Sequence, residues 1–147
     1  PLVDAAAGAN AGVFVLVRTS NPGAADIFDL PAPDAPLHER VATLVAEHAD
    51  ALAGESGLSG MGAVVGATEP RHIARLRELM PRSIFLLPGV GAQGGSASEL
   101  ADAFAAGKAS AIVTASRSVA GADDPRAAAE RLREEVWEAA CRGAATG

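Results

Sequence analysis

The sequence predicts an α/β protein, a parallel sheet built from four consecutive strand-helix units. Three observations carry that reading. Four short apolar runs, Val13–Val17, Gly62–Ala67, Ile84–Leu87 and Ser110–Ala115, do not alternate with polar residues, as expected of strands buried on both faces. Each run is followed by apolar residues at helical spacing. The chain has 147 residues, whereas a complete (β/α)8 barrel takes about 250. Repeated units of this kind imply right-handed crossovers and leave two architectures, an open doubly wound sheet or part of a barrel. The length favours part of a barrel.

In order along the chain, the first strand, Val13–Val17, leads into a long connection from Asn21 to Pro36 that holds four prolines. Its composition is that of an ordered loop rather than an interdomain linker. Leu37, Val41, Leu44, Val45 and Leu52 then mark the first helical stripe. The second strand is followed by Pro70, a residue favoured in a first helical turn, and by Ile73, Leu76 and Leu79. The third strand opens into a glycine-rich loop, with a helix expected from near Ser96 or Ser98 and a stripe at Leu100, Ala103 and Phe104. After the fourth strand, Asp123 and Asp124 precede Pro125 as a helix entry signal, and Leu132, Val136 and Ala139 form the last stripe. No composition shift marks a domain boundary, so residues 1–147 read as one domain.

Twelve Lys and Arg residues stand against eighteen Asp and Glu, for a net charge of -6. That balance sets nucleic acid and anionic membrane surfaces aside as partners. The longest uncharged stretch, Ser83–Ser98, is 16 residues with four glycines and Pro88, while a spanning helix needs about 20 apolar residues. Cys141 is the single cysteine, which leaves no internal disulfide and agrees with a reducing cytoplasm. The chain opens on Pro1 with no leader-like segment and reads as a piece of a longer protein.

In both candidate folds ligands sit at the carboxyl ends of the strands. The residues there are Arg18-Thr19-Ser20-Asn21-Pro22-Gly23, Thr68-Glu69-Pro70, Pro88-Gly89-Val90-Gly91-Ala92-Gln93-Gly94-Gly95 and Ser116-Arg117-Ser118. Four glycines within seven residues let backbone N–H groups turn toward an anion, and the helix expected to follow would add its amino terminus. A plain turn is the competing reading of those glycines, and Gln93, a carboxamide able to donate, favours the anion. Arg117 has a surface ion pair as its bland alternative. Its place after the last strand pairs it with the glycine-rich loop in one phosphate site.

Elsewhere the structural readings are preferred. His38, His48 and His72 fall on helical segments without metal-ligand spacing and read as solvated. Arg131, Arg133, Glu134 and Glu135 read as the solvated face of the last helix. Trp137 reads as core or interface, and Cys141 as inert. Lys108, the sole lysine, follows the third helical stripe at the far end of the sheet from the ligand loops.

The strings Thr19-Ser20-Asn21-Pro22-Gly23-Ala24, Leu87-Pro88-Gly89-Val90-Gly91-Ala92-Gln93-Gly94-Gly95 and Ala115-Ser116-Arg117-Ser118 resemble the carboxyl-terminal half of the orotidine 5'-phosphate decarboxylase family, with wording nearest to its longer bacterial subfamily found in actinobacteria. The resemblance covers Gly12 to Trp137. It implies the carboxyl-terminal half, strands five to eight, of a (β/α)8 TIM barrel with the amino-terminal half missing. It also implies a cytoplasmic homodimer that converts orotidine 5'-phosphate to uridine 5'-phosphate without metal or organic cofactor. In the family pattern Ser20 hydrogen-bonds the pyrimidine, Pro88 lines the base pocket and Gln93 reaches the phosphate from a closing loop. Arg117 clamps the phosphate together with the backbone N–H groups of Ser116 and Arg117. The family's Asp-x-Lys-x-x-Asp set has no counterpart in this sequence, so the chain is expected to bind and not to turn over. Two other readings stay open: a different phosphate-binding barrel enzyme, and a self-standing four-unit binding module, which should fold cooperatively alone where half a barrel would expose two strand edges.

Overall fold

The computed structural model describes residues 1–146. Its sheet has four strands, β1 (Val13–Arg18), β2 (Ser59–Val65), β3 (Ser83–Leu87) and β4 (Ala111–Val113), all parallel and in sequential order. Sequential order is what part of a barrel requires, since a doubly wound sheet reverses at a switch point. Six α-helices accompany it: α1 (Leu2–Gly8), α2 (Ala25–Phe28), α3 (Leu37–Glu47), α4 (Pro70–Leu79), α5 (Arg117–Ala120) and α6 (Pro125–Ala144).

Two sequence signals are visible in local geometry. Pro70 stands in the first turn of α4, where its missing N–H costs nothing. Asp124 caps α6, its carboxylate accepting the Ala127 N–H at 3.0 Å. The first stripe is shorter than its spacing suggested: α3 ends at Glu47 and a 3₁₀ turn, Ala49–Leu52, carries Leu52. Strand β2 begins and ends earlier than its apolar run, and beyond it Gly66 and Ala67 donate to the carbonyls of Arg18 and Pro88, each at 2.8 Å. The short helices α1, α2 and α5 lack the apolar periodicity that marks longer ones.

The helix expected after β3 does not form. Residues Ala97–Glu99 and Ala101–Phe104 are 3₁₀ turns, closed by bonds such as Leu100 N–H to Ala97 O at 3.2 Å and Ala103 N–H to Leu100 O at 3.0 Å. A 3₁₀ helix repeats every three residues, and Ala97, Leu100 and Ala103 are all fully or nearly fully buried at that interval. The same stripe therefore fits the tighter winding, and it packs under α6.

The expectation that both sheet faces are buried holds for one face. Val17, Ala63, Val65, Phe85 and Leu87 are buried with Ala42 and Val45 of α3, Ile73 and Leu76 of α4, and Ala139 and Ala140 of α6. On the opposite face the register aligns Phe14 with Gly62, Leu16 with Val64, Val64 with Leu86, and Leu86 with Ile112. No helix covers that ladder, and Phe14, Leu16 and Ile112 remain 44%, 57% and 48% exposed. The continuous apolar runs are thus explained by a second apolar surface that this chain does not itself cover. Trp137 is likewise outside the core, 58% exposed on α6 with the Lys108 ammonium 4.3 Å above its ring.

The amino ends of β3 and β4 are joined by a buried cation. Arg77 of α4 donates from Nη1 to the carbonyls of Met80 (3.0 Å) and Ser83 (2.7 Å), and from Nη2 to those of Ala103 (2.7 Å) and Ser110 (3.0 Å). Its guanidinium also lies 3.8 Å from the centroid of the Phe85 ring. Burial without a carboxylate partner pushes its pKa down to about 10. Arg77→Ala leaves several buried carbonyls underpaired, and at 1–3 kcal/mol for such a group the expected loss is about 3 kcal/mol. Arg77→Lys, with fewer donors in a different geometry, is expected to lose less. Urea denaturation of the two variants checks the order.

Candidate functional site

The carboxyl ends of the four strands lie along one edge of the sheet, and a cleft of about 640 Å³ opens there. Its walls include Arg18 at the end of β1 and Ser20 after it, Thr68 and Glu69 after β2, Gln93 after β3 and Arg117 after β4. A smaller adjoining hollow of about 160 Å³ is lined by Pro88, Gln93, Ser116 and Arg117. Gln93 and Arg117 border both spaces. All five residues singled out in the sequence, Ser20, Pro88, Gln93, Ser116 and Arg117, therefore meet at one end of the strands. Thr68 and Glu69 were readable as strand-end residues but carried no motif.

The loops touch directly. Ser20 Oγ donates to Gln93 Oε1 at 2.7 Å across 73 residues of sequence. Two glycines make this contact possible. A Cβ on Gly66 would lie 2.7 Å from Ser20 N, so the backbone after β1 rests on a position that must lack a side chain. Gly89 has φ +107°, a conformation open to glycine and costly for other residues, and an added Cβ there would meet Ser20 Oγ at 3.0 Å.

The expectation of a cradle made from glycine N–H groups needs revision. Gly91 donates to Gly95 O (2.9 Å), Gly94 to Gly91 O (2.9 Å) and Gly95 to Gly89 O (3.1 Å), so the loop uses three of its amides to hold its own shape. No α-helix amino terminus follows it either, for the reason given above. The positive charge facing the two hollows comes from side chains. Arg117 is exposed, opens α5 and makes no ion pair among the described residues.

Arg18 is the charged residue that sequence reasoning passed over. It is buried, yet its Nε and Nη2 donate to Asp29 Oδ1 and Oδ2 at 2.9 and 3.0 Å, a bidentate pair with a residue of the long loop. The Arg18 hydrogen bond holds the Asp29 carboxyl below its ordinary range, and Asp29 in turn raises Arg18. His38 and His72 are not solvated, contrary to expectation. His38 is buried with Nδ1 donating to Phe28 O at 2.8 Å and 3.2 Å from Asp29 Oδ1. His72 meets it edge-on, with ring centroids 4.8 Å apart, and its Nε2 is buried without a partner. The long loop packs both rings against α3 and α4. His48 is exposed as expected.

Among the described residues no group of three or more His, Cys, Asp or Glu side chains is arranged to hold a metal ion. Among the same described residues no helix is long and apolar enough to cross a membrane.

Parallel strands in sequential order, helices on one face and a ligand-sized cleft at the carboxyl strand ends define a barrel-type α/β enzyme fold. Comparison with known proteins is more specific. The family model described as orotidine 5'-phosphate decarboxylase / HUMPS family matches residues 1–132, and the chain belongs to that family. It is 40% identical over 144 residues to an orotidine 5'-phosphate decarboxylase of Rhodopirellula baltica, covering 98% of this chain and 48% of the relative. With the enzyme of that name from Deinococcus radiodurans it shares 42% over 142 residues, covering 92% and 50%. Among solved structures, Leishmania donovani UMP synthase superposes with a TM-score of 0.72 at 38% identity, over 88% of this chain and 28% of that one. Leishmania donovani OMP decarboxylase gives 0.68 at 37%, over 88% and 48%. The chain thus spans about half the length of the curated relatives it matches.

Two tests follow from the site. Gly66→Ala must displace the Ser20 backbone, and the expected result is loss of the Ser20–Gln93 contact with the sheet intact, read from amide chemical shifts at both loops. For His72, burial is the main cause of a pKa below the ordinary 6.5, with the Arg18 and His38 charges adding to it and Asp29 opposing. The unfolded chain therefore takes up this proton at higher pH than the folded one. Stability should fall as pH drops from about 6.5 through the lower folded value and then level off. His72→Phe is expected to reduce that slope in urea midpoints measured between pH 7 and 5.

Proposed function

We propose that this chain supplies the phosphate side and part of the pyrimidine side of an enzyme that decarboxylates orotidine 5'-phosphate to uridine 5'-phosphate, and that it corresponds to the carboxyl-terminal half of the barrel. The observation that carries the reading is the meeting of Ser20, Gln93 and Arg117 in one cleft of a chain matched by this family over residues 1–132.

Each residue has a physical role in that scheme. Arg117 offers a permanent charge and a planar fork suited to a phosphate dianion, with the backbone N–H groups of Ser116 and Arg117 beside it. Gln93 reaches the phosphate from the glycine-rich loop while remaining tied to Ser20, whose hydroxyl faces the base. Pro88 lines the pocket for the ring without offering a donor. A phosphate remote from the reacting carbon contributes binding energy that orients the ring and closes the loop over it.

The proton delivered to C6 after loss of carbon dioxide has no source here. Lys108 lies between the 3₁₀ turn at Ala101–Phe104 and the amino end of β4, over Trp137 and away from the strand-end cleft. The remaining half of the barrel would bring the proton donor and cover the apolar ladder of Phe14, Leu16 and Ile112. The complete protein would act as a cytoplasmic homodimer on a small nucleotide.

The purified 147-residue chain is expected to bind uridine 5'-phosphate and to show no decarboxylation. Conversion of orotidine 5'-phosphate should appear when the amino-terminal half of the barrel is joined to it. In the joined protein, Arg117→Ala is expected to reduce kcat/KM by a factor equivalent to several kcal/mol, because a charge-assisted pair exceeds the ~1 kcal/mol of a neutral hydrogen bond. Gln93→Ala should cost less. Turnover by the isolated chain, or an Arg117→Ala variant equal to the parent, would overturn the assignment.

A further inference from the structure

Resting on that reading of the cleft, we propose that Arg18 and Asp29 are positioning residues that set the Ser20 hydroxyl at the base side of the site. Ser20 is held from two directions. Below it, the Arg18 carbonyl accepts the Gly66 N–H at 2.8 Å, and Gly66 presents a bare Cα to the Ser20 backbone. This side is rigid sheet. On the other side the chain leaves through Asn21, Pro22 and Gly23 into the 16-residue connection that ends at Pro36, and such a segment needs an anchor of its own.

Asp29, at the carboxyl end of α2, supplies the anchor. Both of its oxygens are taken by the Arg18 guanidinium, whose Nη1 also lies 3.5 Å from Thr19 O. His38 of α3 closes the far side by donating to Phe28 O. The loop thus returns to the residue two positions before Ser20, and the short arc of chain between Arg18 and α2 is fixed at both ends. That arc forms one wall of the 640 Å³ cleft.

Stability alone does not account for this pair. Arg18 is buried while the Asp29 side chain keeps 29% of its surface exposed, so desolvation of the guanidinium offsets part of their attraction and solvent at the carboxylate screens it. What a bidentate pair adds is a defined geometry, and here the geometry fixed is that of the arc carrying Ser20. The Arg117 clamp stands on β4 and its loop, away from Asp29, and Gln93 is joined to the arc only through its bond to Ser20.

That separation makes the proposal testable in the 147-residue chain. The variant Asp29→Asn keeps the size of the side chain and removes its charge; Arg18→Lys keeps the charge and removes the fork, and is read in its place if Asp29→Asn does not fold. Binding of uridine 5'-phosphate and of inorganic phosphate is measured for parent and variant, with hydrogen exchange at the amides of Phe28, Asp29 and Leu30 against those of Gly94 and Gly95. The expected result is about a tenfold loss of affinity for the nucleotide, equal to ~1.4 kcal/mol, with a much smaller loss for phosphate, which Arg117 holds independently of the arc. Exchange should accelerate in the first amide set only. Equal losses for both ligands, or unchanged nucleotide affinity, would overturn the proposal. Should the parent bind neither ligand, the reading of the cleft fails instead, and exchange decides the anchor by itself: unchanged protection at Phe28–Leu30 in the variant would sink it.

Discussion

Everything at this site depends on the strands being parallel and in sequential order. Each helix or turn carries the chain back along the covered face, so every strand leaves the sheet at the same edge. Residues remote in sequence are delivered to one place by that rule alone, and the Ser20–Gln93 hydrogen bond across 73 positions is its most direct product. An antiparallel sheet of the same composition would have put alternate loops at opposite ends and built no cleft from them.

The two buried arginines show how differently the ends of such a sheet are used. At the amino ends Arg77 meets only carbonyl groups and an aromatic face. It satisfies carbonyls near the starts of β3 and β4 and has no counter-ion to orient. At the carboxyl end of β1, Arg18 meets a carboxylate carried by a long loop. The first arrangement joins elements that the core already packs together, whereas the second fixes a segment with few buried residues of its own. Only Ala24 of the stretch from Asn21 to Pro36 is classed among the buried apolar residues. For such a segment electrostatics and hydrogen bonds replace the apolar contacts that would otherwise order it.

Much of this was legible in the residues. The four strands, the entry of α4 at Pro70, the cap at Asp124 and the strand-end positions of Ser20, Pro88, Gln93, Ser116 and Arg117 follow from local rules that the structure obeys. The misreadings share a cause. A stripe at Leu100, Ala103 and Phe104 fits α and 3₁₀ winding alike, because residues three apart share a face in both, and the hydrogen bonds that decide between them are not legible in the spacing. His38 and His72 read as solvated because they fall on helical segments without metal-ligand spacing, and nothing local shows that the loop from Asn21 to Pro36 reaches His38 or that His72 packs on its ring. Arg18 stood in a strand-end string with no role of its own; its partner, 11 residues away, is found only once that loop is closed. Three glycine amides that seemed available for an anion are spent inside their own loop, which spacing alone does not show.

The uncovered ladder on the second face bears on how the cleft is to be understood. Side chains alternate along a strand, so Val15 and Val17 point toward the helices while Phe14 and Leu16 point away. Arg18 ends β1 after a register irregularity that follows Leu16, and Ser20 lies two residues beyond it. The walls built from Gly66, Gly89 and the glycine-rich loop rest on β2 and β3, whose helix-side residues are buried. The wall built from Ser20 rests on β1, an edge strand paired only with β2 and bare on one face. Apolar surface gains about 25 cal/mol per Å² when removed from water, so covering Phe14, Leu16 and Ile112 would stabilise both edge strands, β1 that leads to Ser20 and β4 that leads to Arg117. The supports of the cleft therefore differ by strand: Gln93 follows β3, which is paired on both sides, whereas Ser20 and Arg117 follow the two edge strands, each with apolar surface on its second face still to bury.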